Sequence, residues 1–284
     1  MKPVAFEYDA PRELGEALEC LSRGDEAKVL AGGQSLVPML NFRLVRPSRL
    51  IDVNKVAGLG EIRSVDGTLH VGALARTAAL ERSAVVATGW PLLREAAGYV
   101  GHAVIRNRGT LGGSVAHSDP HAELPAVLCA LDALLHVRSK RGARVLTTDA
   151  FFQDFYTTAL EPDELLVEIE VPAMKARTGT GFCEHSRTHG DFALAGAAVT
   201  VTTDANGNAT HVAIALLGAG ATPMRLPDVE KMLVGEKIAE RAAHAAGAAA
   251  AKACDPPEPE DYRRALVAEM TKRALLSAAS RVKP

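Results

Sequence analysis

Lys28-Val29-Leu30-Ala31-Gly32-Gly33-Gln34-Ser35-Leu36 decides how the fold is read. Residues 28–31 have the character of a short buried strand. The strand breaks on two glycines, and a helical pattern over about 35–44 follows at once. Working outward, residues 4–8 read as another strand. Asp9 with Pro11 marks a helix start, and Leu14, Ala17, Leu18 and Leu21 share one face of that helix. Gly24-Asp25 ends it. Downstream, residues 50–53 form a third strand. This β-α-β-α-β alternation predicts parallel strands with helical crossovers, an α/β layer over about residues 1–56.

From about residue 58 the grammar changes. Strands at 62–65 and 68–71 flank Asp66-Gly67, a strong hairpin signal. Helices are expected near 77–81, 92–99 and 122–131, a second hairpin over 133–147, and a strand at 165–171 closed by Pro172. Residues 173–181 read as a linker. A third hairpin turns at Asp204-Ala205-Asn206-Gly207, and the alanine-rich tail from about 228 reads as helical.

The whole chain of 284 residues is 48% hydrophobic and 23% charged, enough apolar mass for real cores. Its net charge of -2 excludes a global basic field, so nucleic acid is not an expected partner. Cys20, Cys129, Cys183 and Cys254 are scattered without CxxC spacing, which argues against zinc or iron–sulfur ligation within this chain. The N-terminus lacks a signal-peptide run. The alanine-rich stretch at 242–253 falls short of the ~20 strongly apolar residues of a transmembrane helix. The expected compartment is a reducing one, the cytoplasm.

Two glycine segments can carry chemistry. Ala31, Gly32, Gly33, Gln34 and Ser35 follow a strand and precede a helix; Thr110, Leu111, Gly112, Gly113 and Ser114 precede another helical region. Glycine pairs let the backbone approach a phosphate, and amides with hydroxyl flanks supply neutral donors. Gly33 and Gly113 read as the positions where a diphosphate takes the space of a side chain. Each segment alone is equally a tight turn. Neither matches the P-loop or the G-x-G-x-x-G fingerprint, and neither contains a basic residue.

His117-Ser118-Asp119-Pro120-His121-Ala122-Glu123 is the densest polar cluster. Two histidines and two carboxylates would suit a metal, yet Pro120 breaks the helical spacing that ligation would use. The competing reading is a helix start, with Asp119 as N-cap, Pro120 first and Glu123 in the first turn. Residues 182–193 read as a polar connecting loop. No serine or cysteine is paired with an evident base, so nucleophilic catalysis finds no support and no catalytic residue is assigned.

These segments together resemble the FAD-binding medium subunit of the molybdenum hydroxylases, the family of aerobic carbon monoxide dehydrogenase and xanthine dehydrogenase. Ala31-Gly32-Gly33-Gln34-Ser35-Leu36, with Arg43-Leu44 and Leu50-Ile51-Asp52-Val53-Asn54, is similar to that family's first flavin segment. Arg106-Asn107-Arg108-Gly109-Thr110-Leu111-Gly112-Gly113-Ser114, followed by residues 116–125, is similar to the second. Ser186-Arg187 with Gly190-Asp191-Phe192-Ala193 resembles the start of its C-terminal domain.

The resemblance implies an α+β chain. A two-part FAD-binding domain of the vanillyl-alcohol-oxidase (PCMH) type would span 1–176, with subdomains at about 1–56 and 57–176, and a smaller α+β C-terminal domain would span 177–284. Residues 31–36 (Leu36 included) and 110–114 would wrap the FAD diphosphate. Glu123 would bind the adenosine ribose with Asp119 nearby, and Val100 and Leu166 would pack on flavin or adenine. His117 is the residue placed to challenge a non-covalent flavin, which is otherwise expected. One departure is Cys183-Glu184-His185, where some relatives carry a lysine. The molybdenum cofactor and [2Fe-2S] clusters are expected only on partners, a molybdopterin large subunit and an iron–sulfur small subunit, in a heterohexamer with two copies of each chain. The flavin would take electrons from a cluster and pass them to a quinone, oxygen or another carrier. The alternative is a self-contained FAD oxidoreductase acting directly on a small substrate, with His102, His117 and His185 as loose acid–base candidates. A non-catalytic nucleotide-binding or assembly subunit is the remaining rival.

Overall fold

The computed structural model describes residues 1–24 and 26–283. Asp25, half of the expected stop after the first helix, lies outside the described residues. The first layer contains β1 (Glu7–Asp9), α1 (Leu14–Leu21), β2 (Ala27–Leu30), α2 (Leu36–Asn41) and β3 (Arg49–Asp52). Its strands are parallel, in the order β1-β3-β2. A capping box between Glu13 and Glu16, rather than Pro11, opens α1, which buries Ala17, Leu18 and Leu21 on the expected face. α2 ends before its apolar pattern does, because Arg43 turns the chain with a φ of 58°.

The middle of the chain begins with the hairpin of β4 (Ile62–Val65) and β5 (Thr68–Gly72), where Asp66 and Gly67 both take positive φ. Then come α3 (Thr77–Arg82), α4 (Ala84–Gly89), α5 (Pro91–Tyr99), α6 (Ala103–Arg106), α7 (Leu111–His117) and α8 (Glu123–Ala130). β6 (Leu134–Ser139) and β7 (Gly142–Thr147) form the second hairpin. The short α9 (Thr148–Phe151), β8 (Phe152–Asp154) and β9 (Thr157–Thr158) lead to β10 (Leu165–Val171). An antiparallel sheet runs β4-β5-β10-β6-β7. The apolar residues of β10 face two ways. Leu166, Ile169 and Val171 enter the large core with α5 and α8, whereas Leu165 and Val167 enter the core beneath the first layer with Ala17 and Ile51.

β11 (Thr178–His185), β12 (Ala195–Thr203), β13 (Ala209–Leu217) and β14 (Met224–Arg225) form the last sheet, followed by α10 (Pro227–Leu233), α11 (Glu240–Ala253) and α12 (Glu260–Ser280). The expected linker is therefore shorter than read, since β11 already starts at Thr178. The polar stretch expected as a loop begins as the end of the same strand, because Phe182 and Glu184 pair with Ala198 and Gly196. This sheet is buried on both sides. Ala197, Val199 and Ile214 face α11 and α12, while Phe182, Ala198, Ala215 and Leu217 join the large core. No helix is long and apolar enough to cross a membrane among the described residues.

Small residues set the closeness of these layers. A Cβ on Gly181 would lie 2.2 Å from the Ala274 carbonyl oxygen, and one on Gly179 would lie 2.0 Å from that of Ala278, so α12 rests directly on the β11 backbone. Gly181→Ala is expected to destabilise the chain by at least the ~1–3 kcal/mol of overpacking, because the clash is with backbone that no rotamer relieves. Thermal unfolding should show a Tm lower by several degrees; an unchanged Tm would contradict this packing.

Candidate cofactor site

The two glycine segments meet, but not as two equivalent turns. Gly32 presses on the loop before α7: a Cβ there would lie 2.6 Å from the Arg108 carbonyl oxygen and 2.8 Å from the Gly109 Cα. Gly33 has a φ of 75° and needs glycine for its conformation. No acceptor within the described residues takes the amides of Gly32, Gly33, Gln34 and Ser35. Four consecutive donors are therefore available at the end of β2, where α2 begins.

The second segment is not a turn. Leu111, Gly112, Gly113 and Ser114 form the start of α7, with Thr110 as N-cap. Its amides are largely taken: Leu111 donates to the Ala75 carbonyl at 3.0 Å, Gly112 to Ala73 at 2.8 Å, and Gly113 to Thr110 Oγ1 at 3.1 Å. Gly112 is glycine because a Cβ would lie 2.5 Å from that of Ala73. A Cβ on Gly113 would lie 2.6 Å from Thr110 Oγ1. The expected reason for Gly113, space for a phosphate, is thus not the first one: a side chain there strikes the cap. The segment offers the Ser114 hydroxyl and a fixed wall rather than a second row of free amides.

A hydrogen-bonded strut, not anticipated from the sequence, joins the two segments. Tyr8 donates to Asp52 Oδ2 at 2.5 Å, and Asp52 Oδ1 accepts from the Asn54 amide and side chain at 2.9 and 2.6 Å. Asn54 Nδ2 donates to the Ala31 carbonyl at 2.7 Å, and Asn54 Oδ1 accepts from Arg76 at 2.7 Å. Arg76 then donates to the Arg108 carbonyl at 2.5 Å. Burial raises the Asp52 carboxyl, but the bonds from Tyr8 and Asn54 outweigh it and hold it below its ordinary value. Arg76 meets only these neutral acceptors. Burial, then the Arg108 charge, lowers its pKa, and the Asp52 carboxylate opposes the shift. Asn54 lies in the quoted first segment but had no assigned role. Arg76 has no local signal, being 22 and 32 residues from its partners.

The polar cluster lies at the far end of α7, about 10 Å along a helix of seven residues. His117 stacks near Tyr156 with ring centroids 5.2 Å apart, and burial lowers its pKa against the pull of Asp119. Asp119 is not the N-cap of α8. Its Oδ1 accepts from the His121 amide at 2.9 Å in a turn before the helix, and α8 starts only at Glu123. Among the described residues no three His, Cys, Asp or Glu side chains are grouped to hold a metal. Val100 is half-buried beside the large core, and Leu166 is 4% exposed within it, on the strand against which α7 packs.

This cluster also forms the seam between the middle of the chain and the last sheet. The Gly218 amide donates to the Pro120 carbonyl at 2.8 Å, and His121 Nδ1 lies 2.8 Å from the Ala193 carbonyl oxygen. Two carboxyls are enclosed there. Burial, with a smaller push from Asp119, raises Glu123 to about 7 although its own amide opposes the shift. Burial and then Glu123 raise Glu184 to about 8.

Residues 4–174 match the family described as the FAD binding domain in molybdopterin dehydrogenase, and residues 181–278 match the CO dehydrogenase flavoprotein C-terminal domain. The chain belongs to the molybdopterin dehydrogenase FAD-binding family. It is 42% identical to the 6-hydroxypseudooxynicotine dehydrogenase complex subunit alpha of Paenarthrobacter nicotinovorans, covering 100% of this chain and 98% of that one. It is 38% identical to the carbon monoxide dehydrogenase medium chain of Hydrogenophaga pseudoflava, over 99% of both. The solved carbon monoxide dehydrogenase of that organism superposes with a TM-score of 0.97 at 39% identity, covering 100% of both chains. Quinoline 2-oxidoreductase from Pseudomonas putida 86 gives 0.94 at 36%, covering 99% of both. FAD is thus the cofactor of this fold, and the chain is an oxidoreductase flavoprotein subunit.

The carboxyl at Glu123 gives a pH test. Its unfolded pKa is 4.5 and its folded value about 7, so the folded state holds a proton that the unfolded chain releases as pH rises from 4.5 to 7. Stability from this group is full at acid pH and lost across that window. Glu123→Gln in the flavin-free chain should therefore gain stability over wild type by as much as about 3 kcal/mol between pH 4.5 and 8. Urea unfolding at the two pH values measures it; an equal difference at both would contradict the buried, proton-holding carboxyl.

Proposed function

We propose that this chain is the electron-transfer subunit of a heteromeric molybdenum hydroxylase, receiving electrons from an iron–sulfur subunit and delivering them to a quinone, oxygen or another carrier. The observation that carries the reading is the row of four free amides, Gly32 to Ser35, backed by the Arg76 guanidinium, which hydrogen-bonds to the neutral Asn54 and Arg108 oxygens. Fixed backbone donors and one buried cation suit a diphosphate that stays bound rather than one being transferred.

In this reading the amides of residues 32–35 carry the diphosphate charge, with Ala31 and Leu36 framing the turn and Gln34 braced on the Gly32 carbonyl at 3.1 Å. Ser114 adds a hydroxyl from α7, while Thr110, Leu111, Gly112 and Gly113 fix that helix start. Glu123 accepts from the ribose hydroxyls, and Asp119 orients His121 beside it. Val100 and Leu166 supply apolar contact, and His117 contributes the other wall with Tyr156 without a covalent bond to the flavin. When bound, FAD would supply one- and two-electron redox chemistry. Residues 1–176 would form the flavin domain and 177–284 the C-terminal domain, within a heterohexamer of two medium, two iron–sulfur and two molybdopterin chains. The four cysteines are free, three of them buried, which suits a reducing cytoplasm. The relatives are named for carbon monoxide, caffeine and nicotine chemistry, and substrate choice is assigned here to the large subunit.

Arg76→Gln should weaken FAD binding about ten- to a hundred-fold, the loss of one charge-assisted contact, with Arg76→Lys retaining part of it. Fluorescence titration of the stripped chain measures this; equal affinities would remove Arg76 from the site. Purification of the tagged chain from its native host should bring an iron–sulfur and a molybdopterin subunit with it. A monomer that carries full dehydrogenase activity would contradict the assembly.

A further inference from the structure

Asn54 touches both charged ends of the strut, and its chemistry keeps them apart. Asp52 Oδ1 accepts from the Asn54 backbone amide and from Asn54 Nδ2, at 2.9 and 2.6 Å, while Asp52 Oδ2 accepts from Tyr8. On the other side, Arg76 Nη2 donates to Asn54 Oδ1 at 2.7 Å. A primary amide alone among side chains of this size does both, because its NH2 serves the carboxylate and its carbonyl serves the guanidinium. Its second N–H serves the Ala31 carbonyl at 2.7 Å. The Asp52 carboxylate is near enough for its charge to act on Arg76, yet no bond joins the two among the described residues. The guanidinium is also held at the amide row. The Arg108 carbonyl oxygen to which Arg76 Nη1 donates is the atom that a Gly32 Cβ would strike, at 2.6 Å.

We propose that Asn54 is a neutral spacer, whose amide keeps the Asp52 carboxylate from pairing with Arg76 and so leaves the guanidinium charge to the FAD diphosphate. The inference rests on the reading that the diphosphate lies at residues 32–35. A guanidinium paired to a carboxylate presents a dipole to a second anion, whereas one bonded to neutral oxygens presents its full charge. Asparagine and aspartate have nearly the same shape, so the choice between them is one of charge. Aspartate at position 54 would accept from Arg76 in the same place and neutralise it. It would also set a second carboxylate against Asp52 and leave the Ala31 carbonyl without its donor. Asn54 is therefore a positioning residue: it acts on the cofactor through Arg76, and one nitrogen in place of an oxygen sets the affinity of the row for a polyanion.

The test titrates FAD into the full chain stripped of flavin, by fluorescence, at about 20 mM and about 500 mM sodium chloride. Asn54→Asp should bind FAD about a hundred-fold more weakly than wild type at low salt, and the gap should narrow at high salt. The double variant Asp52→Asn with Asn54→Asp removes the new repulsion but keeps Arg76 paired, so it should stay weak. Asp52→Asn alone keeps the strut and removes the competing charge. It should bind FAD about three-fold more tightly than wild type at low salt, and it serves even where Asn54→Asp fails to fold. Wild-type affinity in Asn54→Asp overturns the proposal, as does a loss that is the same at both salt concentrations, which marks packing rather than charge. Recovery of affinity in the double variant, or weaker binding in Asp52→Asn, also overturns it. Each of these results leaves the flavin reading intact, whereas failure of wild type to bind FAD at all overturns that reading instead.

Discussion

The contact of Gly32 with the loop at Arg108 and Gly109 is the constraint on which the rest depends. Two chain segments about 80 residues apart touch backbone to backbone, with no room for a single methyl group. Such an approach leaves polar groups that need partners, and the Asn54–Arg76 strut supplies them by capping the carbonyls of Ala31 and Arg108. With those carbonyls occupied, the amides of residues 32–35 are left without an acceptor among the described residues. The row of free amides is the by-product of a tight backbone junction whose carbonyls are satisfied and whose amides are not.

Much of this architecture was legible in local patterns. The parallel first layer followed from strand–helix alternation, and β10 was read residue for residue because five of its seven residues are large and apolar and Pro172 closes it. Asp66-Gly67 announced its hairpin through the positive φ that the turn demands. What escaped was set by distant packing. α4 and α6 are short and need the neighbouring helices to hold them, so their sequences carry little signal. Residues 111–114 read as a turn because glycine is a poor helix former; the amide bonds to Ala73 and Ala75, invisible to local periodicity, hold them helical. The glycine segments themselves were legible as candidate phosphate sites, yet the cation behind them was not, since Arg76 reaches the site from another loop.

The site also divides labour by charge. At the α2 end lie free amides and a guanidinium; at the far end of α7 lie the buried Glu123 carboxyl and the half-buried Glu184 carboxyl. A dinucleotide carries its formal charge on the diphosphate and its hydroxyls on the sugars, so the function proposed above would set each end of the candidate site against one of these chemistries. The wall between them is α7, whose start is fixed by three capped amides and whose end leads, through a left-handed Ser118 at φ 54°, into the domain seam.

β10 has a consequence for how the protein is made. It lies between β5 and β6 in the sheet, and its two faces complete two different cores. A growing chain therefore reaches residue 147 with a gap in that sheet and an unfilled wall beneath the first layer. Neither core can close until Leu165 and Val167 on one side, and Leu166 and Ile169 on the other, have emerged together. Folding is thereby pushed late, into a single step dominated by contacts distant in sequence. Until the ribosome has passed residue 171, the nascent chain has no finished pocket in which to load a flavin.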